Sequence, residues 1–344
     1  MHKVCKSCTI PIVVSRDNVW LPNGTIVAEK VPTFKIMILE VDYFKRLYSD
    51  LEGLFGKAIP NCITQGTRKN AKIYINGLLK GPLGYVARSR FGSRKVYDAL
   101  VDSCLALGYG RSHVVEYERG TSLQVDIVDT IYPPHFLGDL RGAFESVEKK
   151  PSKGRWKSGS GGVVHLTVEV SEDEDPLEDR FDYQEARQHQ VGEPYPTCPS
   201  CGLPTELGRF EWDLDRFWIH DSLFDQRVLI LGFNDMIAIM HELEKLVGDL
   251  LREKVKDLTV PFGRAIGERL GEKAIDGFAE DLRIKGWGYP TLERTGTHVK
   301  WRISNPSYTP FIEGRLVGIY EAVNGRTPEV RTEKSDGILT IEMK

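Results

Sequence analysis

Two short cysteine pairs, Cys5-Lys-Ser-Cys8 and Cys198-Pro-Ser-Cys201, carry the most specific chemistry in the chain. A two-residue gap lets both thiolates of a tight turn face one tetrahedral ion, and four soft sulfur donors select zinc. Gly202 follows the second pair and lets that turn wrap around a metal. The pairs open equivalent stretches of sequence, so one knuckle from each is expected to complete a single closed, structural zinc site on Cys5, Cys8, Cys198 and Cys201. Three other readings stay open: a separate zinc on each pair with a nearby histidine or carboxylate, a redox pair, or plain surface thiols. A redox C-x-x-C normally follows a strand and opens a helix, whereas Pro11 and Pro204 follow these pairs closely. Cys62 and Cys104 lack paired spacing and read as small buried residues.

The elements that would position these thiols recur in order along the chain, as expected of a duplicated unit. Asp17-Asn-Val-Trp20 resembles Asp215-Arg-Phe-Trp218, and Lys35 to Gly56 aligns without gaps on Arg227 to Gly248. Gly108-Tyr109-Gly110 falls opposite Gly286-Trp287-Gly288. Ile131 to Val147 matches Ser307 to Val323, sharing Tyr132/Tyr308, Pro134/Pro310, Gly138/Gly314, Leu140/Leu316, Gly142/Gly318, Glu145/Glu321 and Val147/Val323. Leu166 to Val170 matches Leu339 to Met343 as a closing strand. The predicted organisation is a first copy over 1–170, an acidic and proline-containing linker over 171–196, and a second copy over 197–344. Ser171 to Glu185 carries eight acidic residues and reads as a solvated linker.

Within each copy a short apolar strand (Lys35 to Leu39, Arg227 to Leu231) precedes an amphipathic helix, with Asp42 and Asn234 expected as its N-caps. A glycine-rich helical segment, two strands, a helix starting near Gly138 or Gly314 and a final strand complete an α+β unit. The series Gly263, Gly267 and Gly271 would line one helix face, either for close packing or for the wall of a cavity; Gly77 to Ser93 is its expected counterpart. No dinucleotide fingerprint, phosphate loop or recognised catalytic set is present.

Composition narrows the classes further. The 46 Lys and Arg against 49 Asp and Glu argue against a dedicated nucleic-acid binder. A basic stretch through Arg68, Lys69, Lys72, Lys80, Arg88, Arg90, Arg94 and Lys95, with Tyr74, Tyr85 and Phe91 interleaved, could still meet phosphates or an anionic protein; a solvated surface is the favoured reading. The chain lacks a membrane-spanning apolar run, and its first residues lack a secretory signal's apolar core. A cytoplasmic location is expected.

Gly263-Arg-Ala-Ile-Gly267-Glu, Gly286-Trp-Gly288, Asn305-Pro306 and Phe311-x-x-Gly314-x-x-x-Gly318 resemble the 4-vinyl reductase domain family. The likeness covers about Val255 to Met343, and 65 to 170 by way of the repeat. It implies compact α/β domains related to subunits of the TRAPP trafficking complex, often dimeric and enclosing a cavity for hydrophobic small molecules; the repeat would pack the two copies as an internal pseudo-dimer. One departure is that Arg331 to Met343 carries none of the family's terminal cysteines. The walls of such a cavity would draw on Tyr109, Trp287, Tyr289, Trp301, Tyr308, Phe311 and Tyr320, with His135 standing where Phe311 stands; Arg111 and His113 follow the first Gly-aromatic-Gly turn. The expected function is noncatalytic: binding an aromatic or tetrapyrrole-like compound and acting through a partner protein, since two copies and a linker leave no room for an output domain. A reductase or lyase with a cofactor in the cavity, and a zinc-containing adaptor using Arg68 to Lys95, are the alternatives.

Overall fold

The computed structural model describes residues 3–89, 92–172 and 188–344. The first half runs α1 (Ile12–Asp17), β1 (Asn18–Leu21), β2 (Thr25–Ala28), β3 (Val31–Glu40), α2 (Val41–Phe55), α3 (Ala58–Leu78), α4 (Pro82–Ala87), α5 (Ser93–Ala106), β4 (Ser112–Glu118), β5 (Ser122–Val128), α6 (Pro133–Glu148), β6 (Ser152–Ser158) and β7 (Val163–Val170). The second runs β8 (Phe210–Asp213), β9 (Trp218–Asp221), β10 (Gln226–Gly232), α7 (Phe233–Val247), α8 (Asp249–Leu270), α9 (Ala274–Ile284), β11 (Tyr289–Thr295), β12 (His298–Ser304), α10 (Thr309–Asn324), β13 (Val330–Ser335) and β14 (Ile338–Met343). The fold is α+β. Among the described residues, no helix is long and apolar enough to cross a membrane. The acidic run at 173–187, Arg90 and Phe91 lie outside the described residues.

One six-stranded antiparallel sheet joins the halves in the order β1-β2-β3-β10-β9-β8. Its central ladder pairs Ile38 with Ile230, Glu40 with Val228, and Ile36 with Gly232. In the gapless alignment Ile38 is the counterpart of Ile230, so the ladder is symmetric about that pair. Alternation along the strands splits the core between the two faces. Met37, Leu39, Leu229 and Leu231 join the main cluster with α2 and α7, while Ile36, Ile38, Val228 and Ile230 face Ile10, Val14, Leu203 and Leu207 near the knuckles.

The halves are also crossed. Ile38 N–H donates to Lys285 O and Ile230 N–H donates to Leu107 O, both at 2.9 Å, so each half's Gly-aromatic-Gly turn rests on the other half's strand. Trp20 Nε1 donates to Ile284 O at 2.9 Å, and Trp212 Nε1 to Ala106 O at 3.1 Å. Trp212 rather than Trp218 is therefore the structural counterpart of Trp20. Gly108 and Gly286 sit at φ 87° and 78°, where an L side chain is strained, and a Cβ on either would lie 2.9 Å from a carbonyl of that opposite strand.

Each half closes with a four-stranded antiparallel sheet, β4-β5-β7-β6 or β11-β12-β14-β13. Against it a glycine-bearing helix crosses a neighbour: α6 on α3 and α10 on α8. A Cβ on Gly142 would lie 2.3 Å from Arg68 O, and one on Gly318 would lie 2.1 Å from Val260 O. Gly263 faces Arg315 in the same crossing, where its Cβ would lie 2.1 Å from a carbonyl oxygen. These glycines let two helix backbones touch. By the equivalence of the two crossings, the counterpart of Gly263 to Gly271 is Ala71 to Leu79, at the end of α3 and one residue beyond it, rather than Gly77 to Ser93.

Two local expectations change. Helices α6 and α10 begin at Pro133 and Thr309, with proline in their first turns, so Gly138 and Gly314 are interior residues rather than starts. Asp42 and Asn234 lie one residue inside α2 and α7, whose N-caps are Glu40 and Gly232 without a side-chain cap bond. Asp42 still places negative charge at the helix's positive end.

Candidate functional site

Each cysteine pair sits in a tight loop closed in the same way. Cys5 N–H donates to Ile10 O at 2.9 Å, and Cys198 N–H to Leu203 O at 2.8 Å. Thr9 N–H and Gly202 N–H return to Cys5 O and Cys198 O, each at 2.9 Å. The left-handed position that Gly202 fills at φ 74° is taken in the first knuckle by Thr9 at φ 61°. The bridges Val4–Pro11 and Thr197–Pro204 pinch the loop bases.

The two loops face each other. Cys5 Sγ lies 3.8 Å from Cys198 Sγ, and Cys8 Sγ lies 3.5 Å from Cys201 Sγ. A tetrahedral ion with metal–sulfur bonds of about 2.3 Å sets its sulfurs about 3.8 Å apart. All four thiols lie within 4.8 Å of one another and are free, a geometry that can hold a metal ion. Backbone amides of Ser7 and Cys8 pull the Cys5 thiol down to about 6, and those of Ser200 and Cys201 lower Cys198 in the same way. Burial pushes Cys201 up to about 12 and raises Cys8.

Beneath the sheet, six charged groups meet where β3 ends. Glu40 takes a bidentate contact from Arg315 at 3.0 and 2.6 Å and a third from Lys285 Nζ at 2.7 Å. Lys285 also meets Asp221 and Asp281 at 3.0 Å each, and Arg209 contacts both aspartates. Three cations thus face three acids, and Arg315 lies 4.7 Å from the Tyr43 ring centroid and 4.5 Å from that of Trp287. The cations hold Glu40 well below the usual carboxylate range despite full burial. Each of the six groups meets at least one opposite charge, while Arg209 Nε and Arg315 Nε stay without a hydrogen-bond partner. Sequence reading missed it because its members lie on five separate elements; the one signal was Glu40 ending an otherwise apolar run.

The equivalent space in the first half is different. Alignment puts Gly232 opposite Glu40, Asp235 opposite Tyr43, Leu107 opposite Lys285, Asp139 opposite Arg315 and His135 opposite Phe311. Most of these exchanges shorten the side chain, and a cavity of about 360 Å³ lies there. Its lining is mainly apolar, including Phe34, Tyr74, Leu100, Tyr109 and Phe136, with Asp139 and Asp235 as buried or half-buried acids. The exposed Arg16 and Lys30 belong to the same lining, and Arg16 is paired with Asp17 at 2.6 Å.

Of the aromatic residues named from sequence, Tyr109 lines this cavity and His135 stands beside it, fully buried, with Nε2 3.7 Å from Asp139 Oδ2. Trp287, Trp301, Tyr308 and Phe311 are buried in the second half's core, where Arg315 of the ion cluster lies over the Trp287 ring. In the basic stretch, Arg68 and Lys72 pair with Glu145 at 3.1 and 3.3 Å, Arg94 pairs with Asp98 at 3.0 Å, and Arg88 donates to Ser146 O at 3.2 Å. Much of its charge is therefore engaged within the fold. No protein-family model matches the chain, and no curated protein matches it.

Proposed function

We propose that this chain is a noncatalytic binding protein, built from two copies of a unit resembling the 4-vinyl reductase domain and joined at their starts by one structural zinc. Cys5, Cys8, Cys198 and Cys201 hold the ion, and four thiolates leave no open position for water, so the metal staples rather than reacts. The first copy takes a small molecule with a hydrophobic, aromatic body, and the signal passes to a partner protein. The observation that carries this reading is the cavity of about 360 Å³ in one half, set against the ion cluster that holds the equivalent place in the other. That volume sits near the lower end of ligand pockets, which run from about 300 Å³ upward. It favours a compact aromatic compound over a tetrapyrrole. The second copy, with its space closed by Glu40, Lys285 and Arg315, serves as the rigid scaffold.

Native mass spectrometry of the gently purified protein tests the reading. A mass excess of one zinc per chain, together with a small apolar compound released on unfolding or taken up from an added aromatic panel, is the expected result. Two zincs per chain, or no uptake of any aromatic compound, would overturn it.

A further inference from the structure

We propose that the first-half cavity selects a primary amine carried on a compact apolar body, with the ammonium held by Asp139, Asp235 and His135. This rests on the reading of that cavity as a small-molecule site. The three side chains offer acceptor atoms within 4.8 Å of one another. Asp235 Oδ1 and both ring nitrogens of His135 have no hydrogen-bond partner, although Asp235 is 4% and His135 0% exposed. Among the described residues no lysine or arginine pairs with either carboxyl; their titratable neighbours are each other and the histidine beside Asp139. A buried acid without a cation is costly, and the same space in the second half shows the remedy, with Arg315 and Lys285 seated on Glu40. The first half lacks those side chains and leaves room where they would sit.

The chemistry favours an amine over a metal ion. An alkylammonium has three N–H donors, matching two carboxylates and the lone pair of a neutral imidazole. Burial keeps that imidazole neutral, holding it down to about 4. A metal-bound histidine nearly always gives its second ring nitrogen to an acceptor, and here neither nitrogen has one. Tyr109 stands where Trp287 stacks on Arg315 in the other half and gives a cation an aromatic face. The apolar remainder of the lining, with Phe34, Tyr74 and Leu100, covers the body of the ligand.

Calorimetric titration at pH 7.5 with 4-phenylbutylamine and its neutral analogue 4-phenylbutanol tests the proposal on the intact zinc-loaded protein. The amine is expected to bind at least about tenfold more tightly than the alcohol, since two charge-assisted contacts separate them. In Asp139→Asn and Asp235→Asn that preference falls below about threefold while alcohol binding persists, which also shows that the variants fold. Equal affinity for both probes in the wild type would overturn the amine proposal and leave the cavity reading standing. Failure of both probes to bind would overturn both. Uptake of a second equivalent of manganese or zinc, lost in His135→Ala and without amine preference, would replace the amine by a metal.

Discussion

Asp139 stands in α6 at the position Arg315 holds in α10, so one half carries an acid where the other carries the guanidinium that clamps Glu40. Around this exchange the two halves share their backbone plan and differ in what fills it. One interior is closed by ions; the other is left open.

Burial pushes the Asp139 and Asp235 carboxyls well above the ordinary aspartate range. A carboxyl raised on folding contributes stability that is fully present below the unfolded value near pH 4 and is lost as pH rises through its folded value. Asp139→Asn and Asp235→Asn are therefore expected to stabilise the ligand-free protein at pH 7 by about 1–3 kcal/mol each and to have little effect near pH 4. Thermal unfolding across that range checks the sign. A lowered midpoint at pH 7 would contradict it.

Glu40→Gln leaves Arg209, Lys285 and Arg315 facing two acids, and breaking a buried ion set in this way costs about 3–5 kcal/mol. Glu40 is held below its unfolded value, so its contribution is present above about pH 4 and is lost as pH falls further. Urea denaturation should show a much lower midpoint for Glu40→Gln at pH 7 and convergence with wild type in strong acid.

Removing the proposed zinc should loosen the joint between the halves. With free zinc a thousandfold above its dissociation constant, binding contributes about 4 kcal/mol to stability. Cys5→Ser and Cys198→Ser are each expected to abolish zinc uptake entirely, as a single ion shared by both pairs requires. Elemental analysis of either variant that retained half the wild-type zinc would indicate two separate sites.

The helix crossings give a packing prediction. A Cβ at Gly318 would lie 2.1 Å from Val260 O and 2.5 Å from Arg264 N, so Gly318→Ala should cost about 1–3 kcal/mol. Gly53 in α2 meets nothing within 4 Å, and Gly53→Ala should stabilise by up to about 1 kcal/mol through helix propensity. Chemical denaturation of the two variants should move the midpoint in opposite directions.

Much of the architecture was legible because it rests on local signals. The knuckles, the apolar run before α2 and the Gly-aromatic-Gly turn each have a signature in adjacent residues, and the meeting of Cys5 with Cys198 followed from their matched positions. Helix starts were misplaced where glycine serves contact rather than chain reversal: Gly138 and Gly314 sit inside helices because another helix backbone lies against them. Trp212 was missed because the loop after Cys201 differs by one residue from that after Cys8, while Trp218 offered a better local match. The ion cluster and the cavity depend on side chains from several elements meeting in space. In the aligned halves they show as charges at Glu40, Lys285, Asp139 and Asp235 that lack a like counterpart.

The most direct test of the account is a calorimetric titration of 4-phenylbutanol into wild-type protein and into Leu100→Trp. Leu100 lines the cavity and is half-buried, so a larger side chain can enter the space without disturbing the packed core. One saturable site per chain in the wild type, abolished in a Leu100→Trp variant that unfolds at the wild-type temperature, is the expected result. Absence of binding to the wild type, or unchanged binding to the filled variant, would contradict the first-half cavity as the protein's ligand site.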